Sequence, residues 1–256
     1  MAKKAPPKNR IISIVGLTAS GKSWLGIQLA NLFNGEIIST DSRQVYKRLD
    51  IGSAKVTAEE QSMAPHHLLD IVEPMGTMDV FTFQKLAFDK IDEIHARGKT
   101  PILVGGTGLY SRSIIENYNF ADKANPTQGE RKYDFLQIAL LPPREWLEST
   151  IAKRNQLRYE MGMINETREL LASGVDHKWL RKLGLDYQLT TEYVMGELTR
   201  TEFESWHVIR TMQYAKRQRT WFKRERDTIF LTDPDLFNNP QKLLNTAKQL
   251  TEEFIK

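Results

Sequence analysis

The sequence predicts an α/β protein, a parallel sheet flanked by helices and continued by a mainly helical C-terminal part. Three observations carry that expectation. Short β-branched runs alternate with helical apolar patterns over the first 143 residues, the early runs end on glycine or aspartate, and from Arg144 onward the apolar spacing is predominantly helical.

In order, Ile11, Ile12, Ile14 and Val15 suit a buried strand over Arg10 to Gly16. Trp24, Leu25, Leu29, Leu32 and Phe33 then recur at helical spacing, with Asn34-Gly35 as the stop. A second strand, Glu36 to Thr40, runs straight into Asp41. After a polar stretch, Phe83, Leu86, Ala87, Ile91 and Ile94 mark one face of a helix from Phe81 to Ala96, closed by Arg97-Gly98-Lys99. Pro101 to Val104 is a third strand, ending in Gly105-Gly106-Thr107-Gly108. Residues 120–132 are polar, with Pro126 and Gly129, and read as an exposed connection before a strand at Phe135 to Leu141. The expected organisation is a basic tail at 1–9, a core at 10–143 and a helical region at 144–256 that contributes to the site. In such a sheet the ligand binds at the carboxyl ends of the strands.

With 40% hydrophobic and 27% charged residues, a chain of 256 residues buries a sizeable core without covalent staples. No apolar run approaches the roughly 18 residues of a membrane span. The absence of cysteine excludes disulfides, thiolate metal sites and cysteine nucleophiles. Met1 to Arg10 is basic and proline-bearing without an apolar segment, which fits a solvated tail and not a secretory signal. A cytoplasmic monomer is expected. The formal charge is +4, and a local stripe stands out: Arg210, Lys216, Arg217, Arg219, Lys223 and Arg224 are interleaved with Tyr214, Trp221 and Phe222. Such a stripe suits an anionic partner.

Gly16-Leu17-Thr18-Ala19-Ser20-Gly21-Lys22-Ser23 satisfies G-x-x-x-x-G-K-[ST] between an expected strand and an expected helix. Its glycines let backbone amides turn inward around a phosphate, Lys22 supplies a cation and the Ser23 hydroxyl can ligate Mg²⁺. The motif establishes phosphate binding without saying whose phosphate. Asp41, at the end of the second strand, has three readings: a water-mediated metal ligand, a general base, or a helix N-cap. The Gly105–Gly108 turn holds no acid where many phosphate-binding enzymes carry a metal ligand, so Thr107 is either a ligand donor or part of a tight turn. His66-His67 invites a metal reading, but adjacent histidines diverge on regular structure and no third ligand stands nearby at suitable spacing. Arg154 and Arg158 share a helix face.

Assembled, these residues resemble the bacterial tRNA dimethylallyltransferases, also called tRNA isopentenyltransferases or IPP transferases. The match runs through the Gly16–Ser23 loop, Asp41–Tyr46, Asp50–Lys55, His66–Pro74, Gly105–Tyr110 and Ala215–Phe222, over most of the chain. The resemblance implies a P-loop fold and an enzyme that moves a dimethylallyl group from dimethylallyl diphosphate to N6 of adenine 37 in tRNA, with Mg²⁺. It implies that residues 16–23 hold the diphosphate, that Asp41 is the general base, that Thr107 lies beside the adenine and that Arg154 contacts the diphosphate or transition state. Asp41, Ser42, Arg43 and Gln44 would surround the target base, and Arg210, Gln213, Lys216, Arg217 and Gln218 would meet the tRNA backbone near it. Two departures stand out. A helical insertion that helps clasp the anticodon stem-loop is replaced here by the short connection at 120–132, and position 43 is arginine where methionine or alanine is common. Prenylation of free adenine nucleotides is the first rival reading, and small-molecule phosphoryl transfer the second.

Overall fold

The computed structural model describes residues 10–122 and 125–256; the basic tail expected at 1–9 lies outside them. Six strands form one sheet: β1 (Arg10–Gly16), β2 (Gly35–Ser39), β3 (His66–His67), β4 (Thr100–Val104), β5 (Asp134–Leu140) and β6 (Thr228–Leu231). Their order is β3-β2-β4-β1-β5-β6 and every pairing is parallel. Between β1 and β2 runs α1 (Lys22–Leu32), and α2 (Ala58–Met63) precedes β3; α3 (Val80–Ala96) and α4 (Gly108–Ile115) flank β4. Then come α5 (Arg144–Glu160), α6 (Met163–Ala172), α7 (His177–Leu183), α8 (Leu185–Val194) and α9 (Arg200–Phe222), with α10 (Pro234–Asn238) and α11 (Pro240–Ile255) after β6.

The strands are buried on both faces, which is why they read as continuous apolar runs. On one face Ile12, Ile14 and Ile102 pack with Leu25 and Leu29 of α1 and Leu243 and Ala247 of α11. On the other, Ile11, Ile38 and Leu103 meet Phe83, Ile91 and Ile94 of α3 and Ile114 of α4. Each fully buried side chain of this size contributes about 1.5–3 kcal/mol relative to exposure. Local signals fix the helix starts: the Asp79 carboxylate accepts from Thr82 N at 2.7 Å, and Thr199 with Glu202 forms a reciprocal capping box for α9.

The sequence-based element boundaries shift by a residue, and in places the difference has a cause. Asn34 takes the left-handed turn after α1, at φ 50°, so Gly35 is free to begin β2. Two strands were not anticipated. β3 is two residues long, and β6 lies in a stretch expected to be helical, where Thr228–Leu231 is too short to show a period. Through β6, α10 and α11 the C-terminal part returns to the sheet.

The sheet's carboxyl edge positions the site. There α5 and α9 pack on Val15, Leu17 and Ala139 through Ile151, Ala215 and Phe222. Beside it, α6, α7 and α8 bury Val45, Tyr46 and Leu49 of the segment after β2. The buried face of α9 mixes apolar Phe203, Ala215 and Phe222 with polar His207, Thr211 and Gln218. A helix that buries polar side chains at this edge brings them to whatever the edge binds.

Candidate active site

β1 ends at Gly16, where any Cβ would collide with the backbone of Leu140, and the chain turns through Thr18–Ser20 into α1. Within the turn Lys22 Nζ donates to Leu17 O at 2.6 Å. Thr18 N donates to Gln218 Oε1 at 2.8 Å, and Gln218 Nε2 donates to Gly106 O at 3.0 Å, so one side chain of α9 ties the loop to the turn after β4. Arg154 Nη1 reaches Thr18 Oγ1 at 3.0 Å. Ser20 Oγ and Arg154 Nε are buried with no hydrogen-bond partner among the described residues. Burial pushes the Lys22 ammonium down to about 8 despite Asp41. Burial, then Arg158, pushes Arg154 down to about 10, where it still holds its charge at neutral pH. Two desolvated cations, an idle hydroxyl and a helix N-terminus describe a seat for an anion.

Asp41 caps no helix: its Oδ1 accepts from Arg43 N at 2.9 Å in a tight turn that continues through residue 45. Burial raises its pKa, opposed by the Arg43 N–H and by Lys22. Thr107 Oγ1 accepts from Ser42 N at 3.0 Å and donates to Ser42 Oγ at 3.2 Å, fixing this turn against the one after β4. Gln44 Oε1 accepts from Ser39 Oγ at 3.0 Å while Gln44 Nε2 donates to Ala54 O at 3.0 Å. The segment carrying Ala54 is held by the helical part. Glu166 accepts from the backbone N–H groups of Asp50, Ile51 and Gly52 at 2.9, 2.7 and 2.9 Å, and Arg158 donates to the carbonyls of Ile51 and Gly52. Gly52 lies against the Tyr187 ring, where a Cβ has no room.

Two cavities of about 300 Å³ each open here and share Thr18, Asp41, Ser53, Ala54, Arg154 and Tyr214 as walls. The first contains the whole Thr18–Ser23 turn and Gln218. The second contains Ser42, Arg43, Thr107, Asp186 and Arg217. Asp41 therefore faces an anion seat on one side and a separate chamber on the other.

Of the residues expected on a nucleic-acid surface, Asp41–Arg43 and Arg217 line the second cavity and Gln44 the first. Gln213 and Lys216 open instead on an apolar groove with Leu17 and Met212. Arg210 pairs with Glu192 at 3.6 Å and lies over the Trp206 ring. Gln218 is placed differently from expectation: it is 6% exposed and bonded to the P-loop, because its position on α9 is one turn from Phe222 on the buried face. Sequence reading missed Glu166 and Asp186, and gave no site role to Tyr214, noted only within the basic stripe, or to Arg158. The shared face of Arg154 and Arg158 was the one available signal. His66 and His67 act locally, on Ala64 O at 2.8 Å and the buried Glu36 at 2.6 Å.

The IPP transferase family model matches residues 44–130 and 119–225. This chain belongs to the IPP transferase family. The two matched pieces overlap at residues 119–130, so the model's alignment is divided at the connection expected to replace a family insertion. The chain is 37% identical to tRNA dimethylallyltransferase 2 of Shewanella sediminis over 268 aligned positions, covering 84% of this chain and 89% of that one. That alignment is longer than the chain itself, so the relative carries residues that have no counterpart here. Two solved structures share the fold. One is the full-length tRNA isopentenylpyrophosphate transferase of Bacillus halodurans, 31% identical with TM-score 0.83 over 96% of this chain and 98% of that one. The other is the tRNA delta(2)-isopentenylpyrophosphate transferase of Staphylococcus epidermidis, 30% identical with TM-score 0.84 over 96% and 100%. The family's P-loop-like architecture is the one described above. No helix among the described residues is long and apolar enough to cross a membrane.

Proposed function

We propose that this chain transfers a dimethylallyl group from dimethylallyl diphosphate to N6 of adenine 37 in tRNA. The observation that carries the reading is the pair of cavities meeting at Asp41, one an anion seat and the other a chamber for the acceptor. Relatives named as a tRNA dimethylallyltransferase and a tRNA isopentenylpyrophosphate transferase support tRNA as the acceptor.

The diphosphate sits on the turn of residues 16–23, with its charge met by the backbone amides, Lys22 and Arg154. Mg²⁺ fits there: Ser23, the second residue of α1, lines the same cavity as the idle Ser20 hydroxyl, and this ion commonly takes few protein ligands beside substrate phosphates. When bound, it adds positive charge to the leaving diphosphate. The adenine enters the second cavity with its exocyclic amine toward the shared wall. As the allylic C1–O bond breaks, the amine nitrogen forms the new bond to C1, the electron pair leaves with the diphosphate, and Asp41 takes the amine proton. A carboxylate whose pKa is raised by burial is better matched to that transfer than a solvated one. Thr107 holds the Asp41–Ser42 turn in register with the acceptor. Arg217, on the rim of the second cavity, meets the RNA backbone, and Arg210 lies further along α9.

Purified protein with Mg²⁺ and labelled dimethylallyl diphosphate, offered an unmodified tRNA and AMP in parallel, tests the reading. Label at adenine 37 supports it. Label in AMP alone moves the acceptor to free nucleotides, which the short connection at 120–132 would also suit, and label in neither refutes it.

A further inference from the structure

Behind the shared wall lies a buried polar group that the mechanism above does not use. Asp186, the second residue of α8, lines the acceptor cavity together with Asp41, Ser42 and Thr107. Its Oδ1 is fully occupied, accepting from Arg158 Nη1 at 2.8 Å and from His207 Nε2 at 2.9 Å. His207 is wholly buried, and its Nδ1 meets the Tyr159 hydroxyl at 2.7 Å. An ionised carboxylate cannot donate, so the imidazole proton stands on Nε2 and Nδ1 accepts from Tyr159. Arg158 is itself fixed by the carbonyls of Ile51 and Gly52. One oxygen of Asp186 is thus immobilised from two sides. Its Oδ2 takes no hydrogen bond from the described residues, and the side chain remains 28% exposed.

We propose that Asp186 is a second carboxylate of the acceptor cavity, whose free Oδ2 accepts a hydrogen bond from the nucleoside being prenylated while Asp41 takes the proton. This rests on the prenyl-transfer reading and adds a substrate-contacting residue to it. The two carboxylates are in opposite environments. Burial raises Asp41, whereas Arg158 and His207 overcome burial and hold Asp186 well below the usual carboxylate range. When neighbouring acids are pushed apart in this way, one moves protons and the other stays an anion. A fixed anion in a nucleoside chamber is a pure acceptor, and an adenosine offers it two kinds of donor, an amine N–H or a ribose hydroxyl.

The test is steady-state transfer to an anticodon stem-loop RNA by wild type, Asp186→Asn and Asp186→Glu, with thermal unfolding of each. Asparagine keeps an oxygen for Arg158 and His207 and turns a donor toward the cavity. The KM for RNA is expected to rise about 10–100-fold, the loss typical of a hydrogen bond to a charged group, with the KM for dimethylallyl diphosphate unchanged. Asp186→Glu recovers part of that loss. An RNA carrying 2′-deoxyadenosine at the target identifies the donor: the deoxy substitution costs wild type but not Asp186→Asn if the ribose hydroxyl is the partner, and costs both equally if it is the amine. An unchanged RNA KM overturns the proposal. So does a parallel rise in both KM values with a lowered Tm, or an Asp186→Asn chain that does not fold, since each marks a structural role. Wild type that labels no acceptor would instead overturn the prenyl-transfer reading itself.

Discussion

The two cavities meet at one carboxylate and are built in opposite ways. The anion seat is centred on one contiguous turn, residues 18–23, whose shape is a property of the backbone; Gln218 and Arg154 bond to it from outside, and the further walls of that cavity come from β2, residues 53–60 and the turn after β4. The second chamber has almost no contiguous origin: its walls come from the turns after β2 and β4, from α5, from the start of α8 and from α9. Phosphate is recognised by amides and a helix end, which any sequence with the right glycines can supply. A nucleoside needs side chains at fixed positions, so that end depends on how the helical part clamps the core. The two ends should therefore fail differently when altered.

The largest effect is expected at the carboxylate between them. Asp41→Ala should lower kcat by on the order of 10²–10⁴, the range for losing a general base, with RNA and diphosphate binding largely retained. Normal turnover in that variant would remove Asp41 from the chemistry and leave the two chambers without a common reacting group. The donor end is tested next by Lys22→Ala, which should weaken inorganic diphosphate binding about 10–100-fold in calorimetry without changing RNA affinity. The pH dependence carries the same distinction. Lys22 is lowered, so in the free enzyme it is a cation below about pH 8 and loses its charge above, and diphosphate affinity should fall as pH rises through that value. Asp41 is raised, so transfer should be lost on the acid side at a pH above the ordinary carboxylate value. A donor affinity flat from pH 7 to pH 9 would contradict the first statement, and an acid limb at the ordinary value the second.

The same contrast explains what the sequence made legible. The Gly16–Ser23 motif, its strand and its helix could be read because local spacing determines them, and Asp41 and Thr107 because each follows a recognisable strand. Nothing local distinguishes Gln218, which serves the P-loop 200 residues away, from its neighbours in a basic stripe. Glu166 looks like any acid of an exposed helix until the fold brings three backbone N–H groups to it across more than 100 residues. β6 escaped for a related reason: four residues become a strand because β5 offers an open parallel edge, not because they carry a period. Long-range pairing decides these cases, and spacing along the chain does not report it.

Glu166 gives a smaller and more diagnostic effect. Glu166→Gln leaves one oxygen for four donors, the three N–H groups and the Tyr187 hydroxyl, and should cost about 1–2 kcal/mol of stability, the lower part of the scale for an unsatisfied donor because these groups are only part-buried. Because Ala54 O holds Gln44, and Gln44 holds Ser39, loosening residues 50–54 also slackens the turn that carries Asp41. Thermal unfolding and kcat should fall together. A lowered Tm with unchanged kcat would show that the helical clamp stabilises the fold without setting the site.

The smallest effect separates two adjacent cations of the stripe. Lys216 and Arg217 are about 100° apart around α9, the former beside an apolar groove and the latter on the acceptor cavity. A side chain that neutralises one phosphate contributes about 0.7–0.9 to the slope of log affinity against log salt. Arg217→Ala should therefore reduce the slope for anticodon stem-loop binding by that amount, and Lys216→Ala should leave it nearly unchanged. Equal reductions would mean that the RNA wraps α9 and reaches the groove as well as the cavity. A change at Lys216 alone would place the RNA on the groove side, and the chamber beside Asp41 would then have to receive its base from the opposite direction.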